Sequence, residues 1–278
     1  PAMSNGLRRL RKLFSDPLLV RTTGGMSPTE RAEILQPQIR EVVASIKKVV
    51  QPDRQFDAAN ADRVFRISVS DYSEATLLPH MLRRMRSEAP DVTLDILTPS
   101  DVSYQDLEQG SVDLVINRFD VLPQSFHQMP IWRDGFSCIF NHQNPIRDNF
   151  NLETYLEAGH VWVSKTGMGI GVGMEPDAVQ SLGWVDEALT KLGKKRRIRV
   201  FTRHYYAAMR LAVLRDLIIT LPSRAANLVR DDPNVIVLPP PFEIPPIELT
   251  MAWSPLLQHN PAHQWIRRLI ADVAKDVV

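Results

Sequence analysis

The sequence predicts an α/β protein in which a short helical segment precedes a larger body, and three observations predict it. The chain has 278 residues, enough for about two domains at roughly 150 residues each. Strand-like and helix-like runs alternate from residue 64 to the C-terminus, which is typical of a mainly parallel sheet with crossover helices. Hydrophobic residues at 44% and charged residues at 23% are ordinary globular values, and they exclude disordered chains, collagen and coiled-coil rods.

The first element is a helix over residues 1–14 with the apolar stripe Met3, Leu7, Leu10 and Phe14. One short amphipathic helix cannot bury such a stripe alone, so it needs partner helices. Off the stripe, side chains are polar near the start and basic further along, which suits base edges and phosphates respectively. We therefore expect base-edge contacts from Ser4 and Asn5, and phosphate contacts from Arg8, Arg9 and, in the next element, Arg21.

A short β-hairpin follows, with strands at residues 18–21 and 26–27 and a Gly24-Gly25 tip. A helix followed by a small wing is the second half of a winged helix-turn-helix. Residues 1–54 carry ten Lys and Arg against five Asp and Glu, a net charge of +5, whereas the remainder has a net charge of −4. This asymmetry indicates that only the N-terminal arm meets a polyanion, although charge alone favours the alternative of a solvated amphipathic helix.

The third element is a long helix with a clear start and end. The run Ser27-Pro28-Thr29-Glu30 predicts an N-cap serine, a proline at the first helical position and a capping box. Pro37 should kink or loosen the helix, which ends near residues 51–52. Its apolar spacing fits a core face or a dimerisation seam equally, and the preceding DNA-binding half-motif favours the seam. The seam residues are Leu35, Ile39, Val42, Ile46 and Val49.

The body begins with a β-α-β-α-β pattern. Strands are predicted at 64–70, 92–98 and 112–117, with helices over 74–88 and 104–109, followed by a strand pair within 127–141. A second alternating set has strands at 160–164, 197–202, 217–222 and 235–239, and helices over 175–192 and 204–215. The proline-rich run 239–246 is an extended connector to a strand at 247–253 and a final helix over 261–277.

The run PAMSNGLRRLRKLFSDPLLVRTTGGMSPTERAEILQPQIREV resembles, in order and spacing, the recognition helix, wing and linker helix of LysR-type transcriptional regulators. The rest of the chain agrees with the effector domain of that family. The resemblance implies that the N-terminal part of the helix-turn-helix is missing, so we expect a truncated or incomplete form. It also implies that the final segment rejoins the first α/β subdomain, giving two lobes crossed twice by the chain, as in periplasmic binding proteins.

The resemblance divides the chain into three parts. Residues 1–27 would form a partial winged helix-turn-helix, residues 28–61 a linker and dimerisation helix with a hinge, and residues 62–278 the effector-binding domain. Within that domain, lobe I would comprise residues 62–134 and 247–278, and lobe II residues 135–246.

Ligands of open α/β sheets bind beyond the carboxyl ends of the strands, at helix N-termini, and the family places its effector between the lobes. In this cleft Arg118 would suit a carboxylate, and Phe201, His204 and Tyr205 would suit an aromatic compound. A helix cap or a surface position is the alternative for each. The candidate effector residues are Ser70, Asp71, Thr98, Ser100, Asn117, Arg118, Ser164, Phe201, Thr202, His204 and Tyr205.

Other motifs indicate no cofactor or metal. Residues 167–173 have the spacing G-x-G-x-G-x-G without a following Lys-Ser/Thr, which favours a flexible loop over a phosphate loop. A helix start at Asn260-Pro261 separates His259 from His263, which argues against a zinc pair. The basic run 194–197 is expected to be a solvated turn, with DNA or subunit contact as the alternative. Cys138, the single cysteine, lies in an apolar run and is expected to be a buried structural thiol.

The sequence therefore predicts a cytoplasmic DNA-binding transcriptional regulator that senses a small molecule. No catalytic motif, no apolar run of about 18 residues and no secretion signal is found, so we expect neither an enzyme nor a membrane protein. The alternative is a periplasmic-type solute-binding protein, which would carry a secretion signal and no basic arm. The resemblance implies promoter DNA, a small-molecule effector, RNA polymerase and further copies of the chain, in a homodimer or homotetramer, as partners.

Overall fold

The structure of the protein is a computed structural model that describes residues 2–50, 56–119, 122–163 and 183–276. The chain divides into two compact units, residues 1–54 and residues 55–278. Each sheet of the larger unit combines strands with flanking helices, which confirms the predicted α/β fold class. Within the described ranges, no helix is long and apolar enough to span a membrane. The glycine-rich run at 167–173 lies outside the described residues.

The smaller unit contains helix α1 (Ala2–Phe14), strands β1 (Leu19–Thr22) and β2 (Gly25–Pro28), and helix α2 (Glu30–Val50). The two strands form an antiparallel hairpin in which Thr22 lies opposite Gly25. Gly25 has a φ of 117°, a backbone conformation that favours glycine. Helix α2 continues through Pro37 and ends at Val50, immediately before the predicted end.

The predicted capping box at Ser27 is wrong, because β2 extends through Pro28, which pairs with Leu19 of β1. Thr29 is the residue that caps α2. Its hydroxyl accepts a hydrogen bond from the Ala32 backbone N–H at 3.1 Å, and its carbonyl accepts one from the Glu33 N–H at 3.0 Å. The wing therefore leads directly into the long helix through Thr29.

We call lobe I the sheet with strand order β4-β3-β5-β12-β6 and the helices that flank it. Its strands are β3 (Val64–Val69), β4 (Thr93–Leu97), β5 (Leu114–Asn117), β6 (His127–Asp134) and β12 (Ile247–Trp253). Strands β3, β4 and β5 are parallel, and β12 pairs antiparallel with β5 and β6. Its helices are α3 (Asp71–Glu88), α4 (Tyr104–Glu108) and α9 (Pro261–Asp276), and α3 contacts α9.

We call lobe II the sheet with strand order β11-β7-β10-β8-β9 and its helices. Its strands are β7 (Phe136–Asn141), β8 (Gly159–Val163), β9 (Arg197–Thr202), β10 (Leu217–Pro222) and β11 (Val235–Leu238). Its helices are α5 (Leu152–Glu157), α6 (Trp184–Lys191), α7 (Tyr205–Leu211) and α8 (Ser223–Asn227). Strands β8, β9 and β10 are parallel, whereas β7 is antiparallel to both β10 and β11.

The predicted strand pair within residues 127–141 is wrong, because β6 and β7 do not pair with each other. Only Gly135 separates them, and they enter different sheets. The chain thus passes from lobe I to lobe II at Gly135 and returns through residues 239–246 before β12. These two crossings produce the bilobal arrangement.

Helix boundaries differ from the prediction where side chains cap or end them. Helix α3 begins at Asp71 rather than at residue 74, because the Ser70 hydroxyl accepts a hydrogen bond from the Ser73 N–H at 3.3 Å. Helix α7 ends at Leu211 rather than at residue 215. Helices α5 and α8 were not predicted, since each is too short for apolar periodicity to show.

The basic run 194–197 is not a fully solvated turn. The Arg196 side chain is only 2% exposed, and its Nε and Nη2 donate to the Asp186 carboxylate at 2.8 and 2.6 Å. Burial of this guanidinium is tolerated because α6 supplies a bidentate carboxylate across the turn. Cys138, by contrast, is fully buried in β7, as expected of a structural thiol.

Two fully buried histidines carry backbone hydrogen bonds, one in each lobe. His160 Nε2 lies 2.7 Å from the Tyr155 carbonyl, and His263 Nε2 lies 2.8 Å from the Asp113 carbonyl. Arg267 donates to His263 Nδ1 at 3.0 Å, so Nε2 of that ring carries the proton. Burial lowers the pKa of His160 to about 3 and the pKa of His263 to about 4.

These histidines predict how stability depends on pH. Between about pH 6.5 and 4 these histidines are protonated in the unfolded chain but stay neutral in the folded protein. The free energy of unfolding therefore falls as pH falls. Each histidine should contribute ~1.4 kcal/mol per pH unit in this window. Urea unfolding measured at several pH values should show the slope, and H263Q should make it shallower. An unchanged slope in H263Q would show that His263 is not neutral in the folded state.

Candidate functional site

Three polar residues lie side by side where the parallel strands of lobe I end. Ser68 pairs with Leu97, and Val69 pairs with Ile116, so Ser70, Thr98 and Asn117 follow neighbouring positions of β3, β4 and β5. The predicted strand ends therefore meet at one edge of the sheet. Ser70 and Asn117 are buried, whereas Thr98 and Ser100 are exposed.

The first turn of α3 contacts lobe II directly. The Asp71 carboxylate accepts a hydrogen bond from the Tyr206 backbone N–H in the first turn of α7 at 3.0 Å. The rings of Tyr72 and Tyr205 lie next to each other, with centroids 5.5 Å apart. Asp71 of lobe I thus acts as a cap for a helix of lobe II, a role that His204 at the N-cap position does not fill with its own side chain. The candidates Asp71 of α3 and Tyr205 of α7 are brought together here.

A buried carboxylate, Asp134, joins both lobes at the first chain crossing. It is 5% exposed, and it accepts hydrogen bonds from the Tyr72 hydroxyl at 2.6 Å and from the Arg224 backbone N–H at 3.2 Å. Burial raises the pKa of Asp134 above its ordinary value, and the hydrogen bonds oppose that shift. The Arg224 guanidinium lies over the Trp132 ring, 4.7 Å from its centroid. We call Tyr72, Trp132, Asp134 and Arg224 the crossing cluster.

A cavity of about 410 Å³ lies between residues of both lobes. It is bordered by Arg118 and Phe119 after β5, by α6 of lobe II and by the second chain crossing. The Arg118 guanidinium lies over the Trp184 ring at 5.1 Å from its centroid. The charged lining residues are Arg118, Glu187, Lys191 and Glu248. Among the candidate effector residues that the structure describes, Arg118 alone borders this cavity.

The remaining candidates in lobe II differ in exposure. Phe201 is 49% exposed and packs edge-on against Trp162, with ring centroids 5.5 Å apart. His204 is exposed, Thr202 is half-buried and Tyr205 is buried. Ser164 lies outside the described residues. The candidates thus divide into a group around the start of α3 and Arg118 beside the cavity.

The residues predicted to contact DNA are accessible. Ser4, Asn5, Arg8 and Arg9 on α1 and Arg21 on β1 are all exposed. On α2, the seam residues Ile39, Val42 and Ile46 are 40%, 57% and 55% exposed, an unusual state for large apolar side chains on one helix. Leu35 is buried within its own unit, and the side chain of Val49 lies outside what the structure describes.

Sequence reasoning missed the crossing cluster and the α6 side of the cavity. Asp134 offered a signal, because it is an acidic residue followed by glycine between the apolar residues Trp132 and Phe136. Such a position suggests a buried, hydrogen-bonded carboxylate. Trp184 and Lys191 gave no signal, because only the fold places α6 beside Arg118.

Comparisons with known proteins agree with this architecture. The sequence profile of the LysR substrate binding domain matches residues 58–275. The HTH-type transcriptional activator NahR of Pseudomonas putida is 29% identical over 278 residues, covering 99% of this chain and 89% of NahR. The solved structure of the probable transcriptional regulator PA0477 from Pseudomonas aeruginosa is 26% identical, with a TM-score of 0.66, and covers 98% of this chain and 87% of that one.

The regulatory domain of MexT, a transcriptional activator in Pseudomonas aeruginosa, is 28% identical with a TM-score of 0.64. Its match covers 77% of this chain and the whole of that chain. The matching relatives are regulators rather than solute-binding proteins. The chain therefore belongs to the LysR family of DNA-binding transcriptional regulators, which bind a small-molecule effector in the domain that residues 58–275 form here.

Proposed function

We propose that the effector of this regulator is a carboxylate, aromatic or short-chain, bound between lobes I and II with Arg118 as its anchor. The observation that carries the proposal is the cavity beside Arg118, which borders both lobes and the second chain crossing. The Arg118 guanidinium lies over the Trp184 ring, so the cavity wall combines a planar cation, the group that pairs best with carboxylates, with an apolar aromatic surface. Lys191 adds a second cation to the same lining.

The position of this cavity supports a regulatory role. A ligand that contacts both lobes binds one inter-lobe arrangement better than another, and it shifts the population towards that arrangement. The proposed effector region also includes the other candidates at the strand ends of the two lobes, namely Ser70, Asp71, Thr98, Ser100, Asn117, Ser164, Phe201, Thr202, His204 and Tyr205. The start of α3 would transmit closure, because Asp71 already contacts α7.

A thermal-shift screen with aromatic and short-chain carboxylates tests this proposal. A ligand at 100 times its dissociation constant should stabilise the folded protein by ~2.7 kcal/mol and raise its melting temperature. R118A should lose this shift, whereas R147A, on the exposed surface of lobe II, should keep it. A full ligand-induced shift in R118A would refute the anchoring role of Arg118.

For the N-terminal unit, we propose that the exposed face of α2 pairs with a second copy of the chain. Ile39, Val42 and Ile46 form one stripe of exposed apolar side chains beside the buried Leu35. The proposed seam continues along the sequence to Val49. A dimer would present two DNA-binding segments to a two-fold site. Ser4 and Asn5 would contact base edges, and Arg8, Arg9 and Arg21 would contact phosphates.

The substitution V42D tests the dimer. A carboxylate in the middle of the stripe should leave the fold intact but give a monomer, because pairing would bury an unpartnered charge. A44D is the matched control, since two residues along a helix place it on the opposite side. Light scattering should report half the mass for V42D and an unchanged mass for A44D. A V42D protein of unchanged mass would exclude this face as the interface.

Several further properties belong to the same proposal. The domains would be residues 1–27, 28–61 and 62–278, with lobe I at 62–134 and 247–278 and lobe II at 135–246. The regulator would act in the cytoplasm, without catalytic activity, as a homodimer or homotetramer that meets RNA polymerase at the promoter. The descriptions of NahR, PA0477 and MexT as transcriptional regulators support the regulatory part of this proposal.

A further inference from the structure

The turn between α1 and the wing is held by a basic residue that is not among the proposed DNA contacts. Arg11, in the last turn of α1, donates from Nε to the Pro17 carbonyl at 2.6 Å and from Nη2 to the Leu19 carbonyl at 3.0 Å. A guanidinium is a rigid planar fork, so two donors on two carbonyls fix both distance and direction. The base of the wing is thereby attached to α1.

This turn has an unfavourable backbone conformation. Ser15 and Leu18 have φ values of 51° and 59°, in the left-handed region that L-residues other than glycine and asparagine rarely adopt. Such a conformation persists only where surrounding contacts determine it. The Leu18 N–H donates to Asp16 Oδ1 at 2.6 Å, and the Leu18 side chain is buried at 9% exposure.

The same turn is attached to the start of α2. The Thr29 hydroxyl donates to Asp16 Oδ1 at 2.7 Å, and the Thr29 N–H donates to the Leu18 carbonyl at 3.0 Å. Thr29 is also the cap of α2. One turn of four residues, 15–18, therefore joins α1, the base of the wing and the start of the long helix. Arg11 is the residue through which α1 contacts this turn.

We propose that Arg11 is a positioning residue for DNA recognition: it holds the wing at a fixed angle to α1 and makes no phosphate contact of its own. The proposal rests on the proposed assignment of phosphate contacts to Arg8 on α1 and Arg21 on the wing. Because Nε and Nη2 of Arg11 already donate to carbonyls, the protein fixes the position and orientation of its guanidinium. Recognition then depends on the geometry of the guanidinium and not on its charge.

Salt dependence separates the two roles. Each phosphate contact on duplex DNA adds about 0.9 to the slope of log affinity against log salt concentration. Removal of a phosphate contact therefore lowers that slope, whereas removal of a positioning contact weakens binding at unchanged slope. Lysine keeps the charge of arginine but lacks the planar fork. R11K and R11M should therefore weaken DNA binding equally only if the planar geometry of the guanidinium, and not its charge, is required.

The experiment uses the full-length regulator and the duplex sequence that it enriches from a random-sequence DNA pool. We expect R11K and R11M each to raise the dissociation constant about tenfold, the effect of losing a charge-assisted hydrogen bond, at the salt slope of the unmodified protein. R8M is the comparison, with a slope smaller by about 0.9. Far-UV circular dichroism checks the fold, and R11K carries the test if R11M fails to fold.

A second readout asks whether Arg11 acts through the wing. R21A and R8A are each combined with R11M, and the dissociation constants are compared at one salt concentration. In the R21A background, where the proposed wing contact is already removed, R11M should cost much less than tenfold in affinity, whereas in the R8A background it should still cost about tenfold. A general loss of stability caused by R11M would have the same effect in the R21A and R8A backgrounds.

The proposal is overturned if R11K binds DNA as well as the unmodified protein while R11M loses about 0.9 of slope, since Arg11 would then be a phosphate contact. It is also overturned if R11M costs as much affinity in the R21A background as in the R8A background. If neither R8A nor R21A alone changes the slope, the assigned phosphate contacts are wrong. Arg11 is then judged by R11K and R11M alone, for which equal tenfold losses at unchanged slope support positioning and unchanged affinity refutes it.

Discussion

The hydrogen bond from the Tyr72 hydroxyl to the Asp134 carboxylate is the contact on which the arrangement of the two lobes depends. Asp134 is the last residue of β6, and the chain enters lobe II one residue later. A buried carboxylate is costly unless its oxygens are hydrogen-bonded. Tyr72 and the Arg224 N–H satisfy it from α3 and from the start of α8, so the crossing is fixed to both lobes. If Asp134 moved away from α3 and α8, its carboxylate would lose these two hydrogen-bond donors.

The effector region follows from this constraint. With the crossing fixed, the carboxyl ends of β3, β4 and β5 face lobe II, and the start of α3 meets the start of α7. The second crossing then closes the cavity beside Arg118. In the proposed function, a ligand in this cavity would contact the two lobes and the connector between them, and would therefore favour one inter-lobe angle over another.

The sequence predicts elements whose pattern is local and misses contacts made between distant segments. Strands β9, β10 and β12 match their predicted bounds, because runs of β-branched and aromatic residues end at clear turn signals. The sequence motif predicts the cap of α2 at Ser27, whereas the structure has it at Thr29. Pairing of β2 with β1 competes with capping at this point, and a linear motif does not reveal that pairing. The burial of Arg196 is not predicted for a similar reason, because its ion-pair partner Asp186 lies ten residues away in the sequence.

The candidate site shows the same division. The rule that ligands bind at strand ends led to Ser70, Asn117 and Arg118, which the fold places at one edge of lobe I. The rule could not find Trp184, which reaches Arg118 only through the packing of α6. Nor could it show that Asp71 would cap α7, since 135 residues separate Asp71 from Tyr206.

The free energy of unfolding of Y72F tests the role of the crossing cluster most directly. The account predicts a loss of about 1–3 kcal/mol near neutral pH, because the buried carboxylate keeps its desolvation cost and loses its shortest hydrogen bond. The loss should shrink as pH falls, since the raised pKa of Asp134 lets the folded state take up a proton. Y206F, at a tyrosine that is 67% exposed, is the control and should be unchanged. A Y72F protein as stable as the unmodified one would contradict the account.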